Sequence, residues 1–467
     1  MNFKKLSISL VLAAAGIMAA NAGNIDANAA RQAANNFMKS KMTAQGMLKA
    51  PSTTDIKLTH TEASSVEGNA FYVFNIKGGG WVIIAGDDRA NQVLAYNTTG
   101  SLDMNNLPVN AKNYLNRFKT QIEKVQNFKG EFKTQAPKRV TPVGPLMKSN
   151  WGQNIPFDRQ CPQQYGSYCP VGCAGLAMAQ ILNYWEYPKE IDGLEGYYNT
   201  AAYSMVPALD ATTFDYDNIL DQYTILNENN QLAWAEGVND ENKAEVAKLC
   251  RYASQSCQMG FSATGGGSGT DVLRQYKGFL KMGYTTDAKL VGIEAWATRE
   301  TWNTWDYTDA EWMDLMTAQL EANHPIPYSS EGADGHAFVV DGVDADGLYH
   351  ANWGFYGAAD GWYAFGAFTP TIQGQTLNLN TGLFMVIDLL PYEGYVSPNA
   401  PGEDPGVPGD VNGDDVVNIT DVTWMLDILL GNVEVTDDLT PDVNGDGSVT
   451  IADLTFIIDQ MVASGQL

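Results

Sequence analysis

"CPVGCAGLAMAQILNYW", residues 169–185, decides how this chain is read. Pro170 and Gly172 mark a turn, and the run from Ala174 to Trp185 is almost wholly apolar, the pattern of a buried helix. Cys173 stands where that helix is expected to begin. The unpaired N–H groups and the dipole of a helix N-terminus favour an anion, so a thiol placed there is set up to ionise and attack. Gly172 allows the backbone to approach a substrate carbonyl closely. The competing reading, that Cys173 is one more small buried residue, is weighed by looking for a base.

Four histidines are available. His60 lies in the leading segment, and His324, before Pro325 in a loop, has nothing else in its favour. His336 opens "GHAFVVDG", an alternating strand pattern that fixes the position of its imidazole, with Gly335 freeing the approach. His350 lies in the next strand-like piece, "GLYHANWG", two residues before Asn352 and so on the same face. Asn352 follows His336 by 352 − 336 = 16 residues and precedes Trp353. An amide oxygen there is able to fix the tautomer of the imidazole while the indole shields that bond from water. A Cys at a helix start, a distant Gly-His before a strand and an Asn-Trp-Gly on the following strand form the papain arrangement, in papain's chain order.

The 467 residues exceed what one core usually supports, so several domains are expected. "MNFKKLSISLVLAAAGIMAANAGN" joins a basic start to a short apolar run and small residues ending at Ala22. Residues 1–22 therefore read as a secretory signal cleaved before Gly23. The apolar run is too short for a bilayer and no later segment replaces it, so no membrane span is expected. Export permits disulfides, but five cysteines leave at least one thiol unpaired. Cys161 with Cys169, and Cys250 with Cys257, are candidate bridges whose pairing stays open. No Cys-x-x-Cys pair with a nearby His proposes a zinc site.

A net charge of −26 argues against nucleic acid as a partner. Fourteen Asp or Glu and no Lys or Arg fall between Pro401 and Leu467, a local acidity that asks for a cation. "DVNGDDVVNITD" at 410–421 recurs as "DVNGDGSVTIAD" at 442–453, an offset of 442 − 410 = 32 residues. Each copy puts oxygen-bearing side chains at loop positions 1, 3, 5, 9 and 12, as a Ca²⁺ loop does. The candidate ligands are Asp410, Asn412, Asp414, Asn418 and Asp421, then Asp442, Asn444, Asp446, Thr450 and Asp453, with backbone carbonyls from Val416 and Ser448. An apolar helix follows each loop, and the two copies are expected to pack on each other. Position 12 is Asp where an EF-hand usually has Glu, and Asp415 replaces the Gly of the first loop. The pair resembles a type I dockerin over about sixty residues, which implies Ca²⁺ as a structural ion and a cohesin-like partner.

The remainder resembles the streptopain family of secreted cysteine peptidases. The stretches that carry the resemblance are "NWGQNIPFD", "GCAGLAMAQILNYWEYP", "FSATGGGSGTDVLRQYKGFLKMGY" and "GHAFVVDGVDADGLYHANWGFYGAADGWYAF". The leading "GWVIIAGDDRANQVLAYNTTGSL" is similar to that family's inhibitory propeptide. The resemblance implies an α+β architecture: a papain-like peptidase core, an N-terminal α+β inhibitory prodomain and a small all-α calcium-binding domain. The expected division is a signal at 1–22, a propeptide at 23–139 ending in the exposed basic "KGEFKTQAPKRVTP", a peptidase domain at 140–392, a Pro/Gly linker at 393–408 and the dockerin-like repeat at 409–467.

Carried over residue by residue, the resemblance makes Cys173 the nucleophile and His336 the general base and acid. It matches Trp353 to the tryptophan beside the family's histidine, and leaves open whether Asn352 or Trp353 orients His336. Gln153 is matched to an oxyanion-hole glutamine, with Gln163 and Gln164 as competitors nearer in sequence. Phe355 stands where the family usually repeats tryptophan, which alters a wall of the cleft. Glycines 265–267 match a cleft-edge loop that goes with an apolar residue upstream of the cut. The function implied is a secreted or surface-associated endopeptidase zymogen acting on polypeptides and restrained by its own propeptide. Two other readings stay open: an assembly component whose tail docks while the core is idle, and acyl transfer to an amine by the same thioester route.

Overall fold

The computed structural model describes residues 23–44, 52, 54–127, 140–226, 232–264, 267–293, 307–330, 335–366, 382–392, 395–400, 411, 417–433, 441, 443 and 449–463. The expected signal, residues 1–22, and most of the acidic loops lie outside them. Eight helices occur among the described residues: α1 (Ala27–Ala44), α2 (Val109–Asn127), α3 (Cys173–Trp185), α4 (Asp240–Ser256), α5 (Val272–Lys281), α6 (Asp309–Glu321), α7 (Ile419–Leu429) and α8 (Ile451–Ala463). The architecture is α+β, a helix-and-sheet body followed by a small helical unit.

An antiparallel ten-stranded sheet is the spine. Its order is Ile56–Ala63, Asn69–Ile76, Trp81–Ala85, Val93–Asn97, Gly361–Tyr363, Tyr349–Asn352, His336–Val343, Ile326–Ser330, Leu383–Ile387 and Lys289–Ile293. The first four strands precede the peptidase in sequence and join it edge to edge, with Tyr96 opposite Trp362 and Ala95 opposite Tyr363. Along the Asn69–Ile76 strand successive side chains reach opposite faces. Tyr72 and Phe74 face α1, while Phe71 and Val73 enter the large core beneath α2. Asp26 starts α1 by accepting the N–H groups of Asn28 and Ala29 at 2.9 and 2.8 Å. In α2 the buried Ala111, Leu115, Phe118, Ile122 and Val125 recur at helical spacing and pack into the same core as the peptidase residues.

Polar contacts add to that shared core. The Lys41 ammonium lies 2.9 Å from Asp344 and 2.7 Å from Asp346, in the turn after the His336–Val343 strand. The Tyr96 hydroxyl donates to Asp344 at 2.7 Å. Asn110, at the start of α2, donates its side-chain N–H to the Trp353 carbonyl at 3.0 Å.

Helix α3 begins at Cys173, as the Pro-Val-Gly turn predicts, with Gly172 as its N-cap at φ +84°. A side chain at Gly172 is excluded twice: the left-handed backbone disfavours it, and a Cβ there would sit 2.6 Å from the Met259 sulfur. Ala174 to Trp185 is buried except at Asn183, because α3 lies between α4, α5 and the sheet. A bulge between Val340 and Gly342 turns Asp341 into the interior, where it meets Met147 N–H at 2.9 Å. Beyond the peptidase, Tyr395 to Ala400 folds back on the end of α3. Tyr395 donates to the Trp185 carbonyl at 2.8 Å, Asn399 to the Tyr184 carbonyl at 3.1 Å, and Ser397 also bonds Tyr184.

The two copies of the C-terminal repeat pack as their apolar spacing predicts: Trp424, Met425 and Ile428 of α7 meet Leu454, Ile457 and Met461 of α8. No described helix is long and apolar enough to cross a membrane.

Candidate active site

Cys173 and His336 meet. The helix sets the thiol at the first turn of α3, and the strand sets the imidazole at its first residue, buried and 8 % exposed. Burial opposes ionisation of Cys173, but the neighbouring His336 and the N–H groups of Ala337 and Ala174 outweigh it and pull the pKa down to about 7. The other four thiols are free and buried. Burial pushes Cys161 and Cys257 up to about 12 and Cys169 up to about 11, and holds Cys250 well above its usual value. Neither candidate bridge is formed.

The ring beside His336 is Phe355, with centroids 5.7 Å apart and planes tilted by 34°. Gly354, at φ +73°, reverses the chain so that Phe355 turns toward the imidazole. His336 Nε2 is buried and has no hydrogen-bond partner among the described residues.

The structure does not bring the other two expected partners to His336. Asn352 pairs in register with Val339, three residues along from His336, so the two side chains leave opposite faces of the sheet. Its amide donates to the Ser149 carbonyl at 2.8 Å and accepts from Gly354 N–H at 3.1 Å and from Gln180 at 3.3 Å. Asn352 thus bolts the strand to α3, since Gln180 is on that helix. Trp353 packs its ring 4.4 Å from Phe338 and donates its indole N–H to the Ala359 carbonyl at 3.1 Å. It braces the strand that leads to Phe355.

Gln153 is tied beside the nucleophile turn, its carbonyl accepting Val171 N–H at 2.9 Å. Gln164 is committed elsewhere: its amide donates to the Phe261 carbonyl at 2.9 Å and accepts Ala263 N–H at 3.1 Å. That pair holds the chain just before Gly265 and Gly266, which lie outside the described residues. His324 sits against Trp185 at 5.5 Å, and burial holds its pKa below the usual value.

His350 belongs to a buried acid network that sequence reading missed. Its Nδ1 lies 2.6 Å from Asp341. Burial opposes protonation of His350, yet the Asp341 carboxylate holds its pKa above the usual range. Burial pushes nearby Asp360 up to about 7, although it accepts Trp353 N–H at 2.8 Å. The bulge that inserts Asp341 has no signature in the hydrophobic pattern.

Of the expected Ca²⁺ ligands, Asn418, Asp421, Thr450 and Asp453 are described, while Asp410, Asn412, Asp414, Val416, Asp442, Asn444, Asp446 and Ser448 lie outside the described residues. Asp421 and Asp453, at position 12 of each loop, are fully buried. Asp421 accepts the N–H groups of Val411 at 2.9 Å and Asn418 at 2.7 Å. Buried carboxylates of this kind are the oxygen donors that a hard cation takes.

Comparison with known proteins gives the same three-part order. Residues 22–122 match the Spi protease inhibitor, residues 151–363 the peptidase C10 family and residues 408–462 the dockerin type I domain. Streptopain of Streptococcus pyogenes serotype M28 is 28 % identical over 408 residues, covering 80 % of this chain and 95 % of that protein. The thiol protease/hemagglutinin PrtT of Porphyromonas gingivalis is 25 % identical over 376 residues, 75 % of this chain and 39 % of that protein. A prointerpain A fragment from Prevotella intermedia shares the fold, with a TM-score of 0.56 and 23 % identity over 71 % of this chain and 97 % of that one. The chain is a cysteine-type peptidase whose residues 151–363 match the peptidase C10 family, between a segment that matches the Spi protease inhibitor and one that matches the dockerin type I domain.

Proposed function

We propose that the chain is a secreted endopeptidase zymogen in which Cys173 is the nucleophile and His336 the general base and acid. The observation that carries this is the Cys173 thiol, drawn down to about 7 at a helix N-terminus beside His336. The thiolate attacks the scissile carbonyl carbon, and the carbonyl oxygen takes up the negative charge. The Cys173 backbone N–H and the Gln153 side chain receive that oxyanion. As the C–N bond breaks, His336 gives its proton to the leaving amine, and a thioester to Cys173 remains. His336 then takes a proton from water, whose oxygen displaces the thiolate. Phe355 holds the imidazole from one side in place of a hydrogen-bonded orienter.

Residues 23–139 act as the inhibitory prosegment, docked through the shared sheet edge, Lys41 and Asn110. Removal at the basic stretch before Val140 yields the active form. In the C-terminal unit, Asn418, Asp421, Thr450 and Asp453, with the loop residues named above, would hold Ca²⁺, which would supply positive charge among the loop carboxylates. That unit then docks on a cohesin-like partner, placing the peptidase at an exported assembly. The test is casein hydrolysis by the processed chain: Cys173→Ala abolishes it, together with self-processing. Activity surviving in Cys173→Ala removes the assignment.

A further inference from the structure

The prosegment leaves an imprint on the peptidase. Tyr114, on α2, inserts its ring into an aromatic socket, 5.6 Å from Trp353 and 5.7 Å from Tyr363. A cavity extends beside that ring, bounded by Met316, Tyr328, Phe338 and Phe365. At the closed end the phenol O–H is shared between the Ala364 carbonyl at 2.9 Å and the Phe365 carbonyl at 3.1 Å. All of these partners belong to the peptidase, and they line the face of the sheet opposite α3.

We propose that this socket is a second binding site of the peptidase, vacated when the prosegment leaves, that takes the para-hydroxyphenyl group of a tyrosine presented by another polypeptide. The chemistry is selective at both ends. Aromatic walls favour a flat ring through edge and offset contacts. The paired carbonyls require a donor at the para position, and an occupant without one leaves them unpaired in a buried place. Tyr114 itself demonstrates the fit. The vacancy rests on prosegment removal, but the chemistry of the socket does not.

The probe is p-cresol, the tyrosine side chain as a free molecule, against toluene, which lacks the donor. In the full chain carrying Tyr114→Ala and Cys173→Ala, p-cresol is expected to raise the melting temperature saturably, binding about fivefold or more tightly than toluene. The Cys173→Ala parent, with its socket filled, is expected not to respond. The processed wild-type enzyme, followed by tryptophan fluorescence, is expected to bind p-cresol within about threefold of the Tyr114→Ala affinity. Equal response of parent and variant, or preference for toluene, overturns the proposal. If Tyr114→Ala does not fold, absence of saturable p-cresol binding to the processed enzyme overturns it alone. An active form that keeps residues 23–139 refutes the prosegment reading while a positive Tyr114→Ala titration still stands.

Discussion

At the scale of the residue, one thiol differs from its four companions by what surrounds it. Each is desolvated, but Cys173 alone combines a helix N-terminus with an imidazole, which brings it to about 7. Because the thiolate is the reactive species and is lost as pH falls through that value, alkylation of the processed enzyme by iodoacetamide is expected to fall with a midpoint near 7. Over the same range the other thiols, held at about 11 or above, stay unmodified, which peptide mapping checks. Phe355→Ala removes the ring against His336 and is expected to lower kcat by about tenfold or more with little change in melting temperature. The Cys and His were legible because a helix start and a strand start announce themselves in composition. The contact of Phe355 with His336 was not, since proximity in sequence placed Asn352 and Trp353 ahead of it. Strand parity, which sends Asn352 to the α3 face, needs the register to be known.

At the scale of the element, α3 is held at both ends. Its N-terminus faces the cleft, and the strap from Tyr395 to Ala400 occupies the carbonyls of Tyr184 and Trp185. Although the Pro/Gly-rich composition after Tyr392 reads as a linker, its first residues pack on the peptidase. A chain ending at Tyr392 is therefore expected to melt about 4–8 °C below one ending at Ala400, given roughly 1 kcal/mol for each of a few lost hydrogen bonds. Helices α2, α3, α7 and α8 follow from apolar spacing and end near where that spacing stops. The sheet order does not follow from spacing, because strand alternation states a face and never a neighbour.

At the scale of the whole molecule, the edge strand Val93–Asn97 turns two folding units into one sheet, and Lys41 ties α1 to Asp344 and Asp346. Lys41 is half-buried and faces two carboxylates, so its truncation leaves the buried Asp344 carboxylate without its cation. Lys41→Ala is expected to hasten loss of the prosegment severalfold, followed by gel electrophoresis of the maturing chain. The C-terminal unit has a core of its own, in which α7 meets α8. Chelation is expected to lower the melting of α7 and α8, where the Asp421 and Asp453 side chains are buried, while kcat on a short peptide is unchanged. The three-part order was legible because each part has its own pattern: alternation, an apolar helix headed by a thiol, and a doubled acidic loop. The cross-unit contacts at Lys41, Asn110 and Tyr114 carry no such pattern.

The central claim is that chemistry passes through a thioester on Cys173, with His336 as its proton carrier. The direct measurement is acid-quenched mass spectrometry of the processed enzyme during turnover of an activated ester of an N-acylated amino acid. An acyl adduct mapping to Cys173, formed much more slowly in His336→Ala, is the predicted result. Turnover with no adduct, or with the acyl group on any other residue, contradicts it.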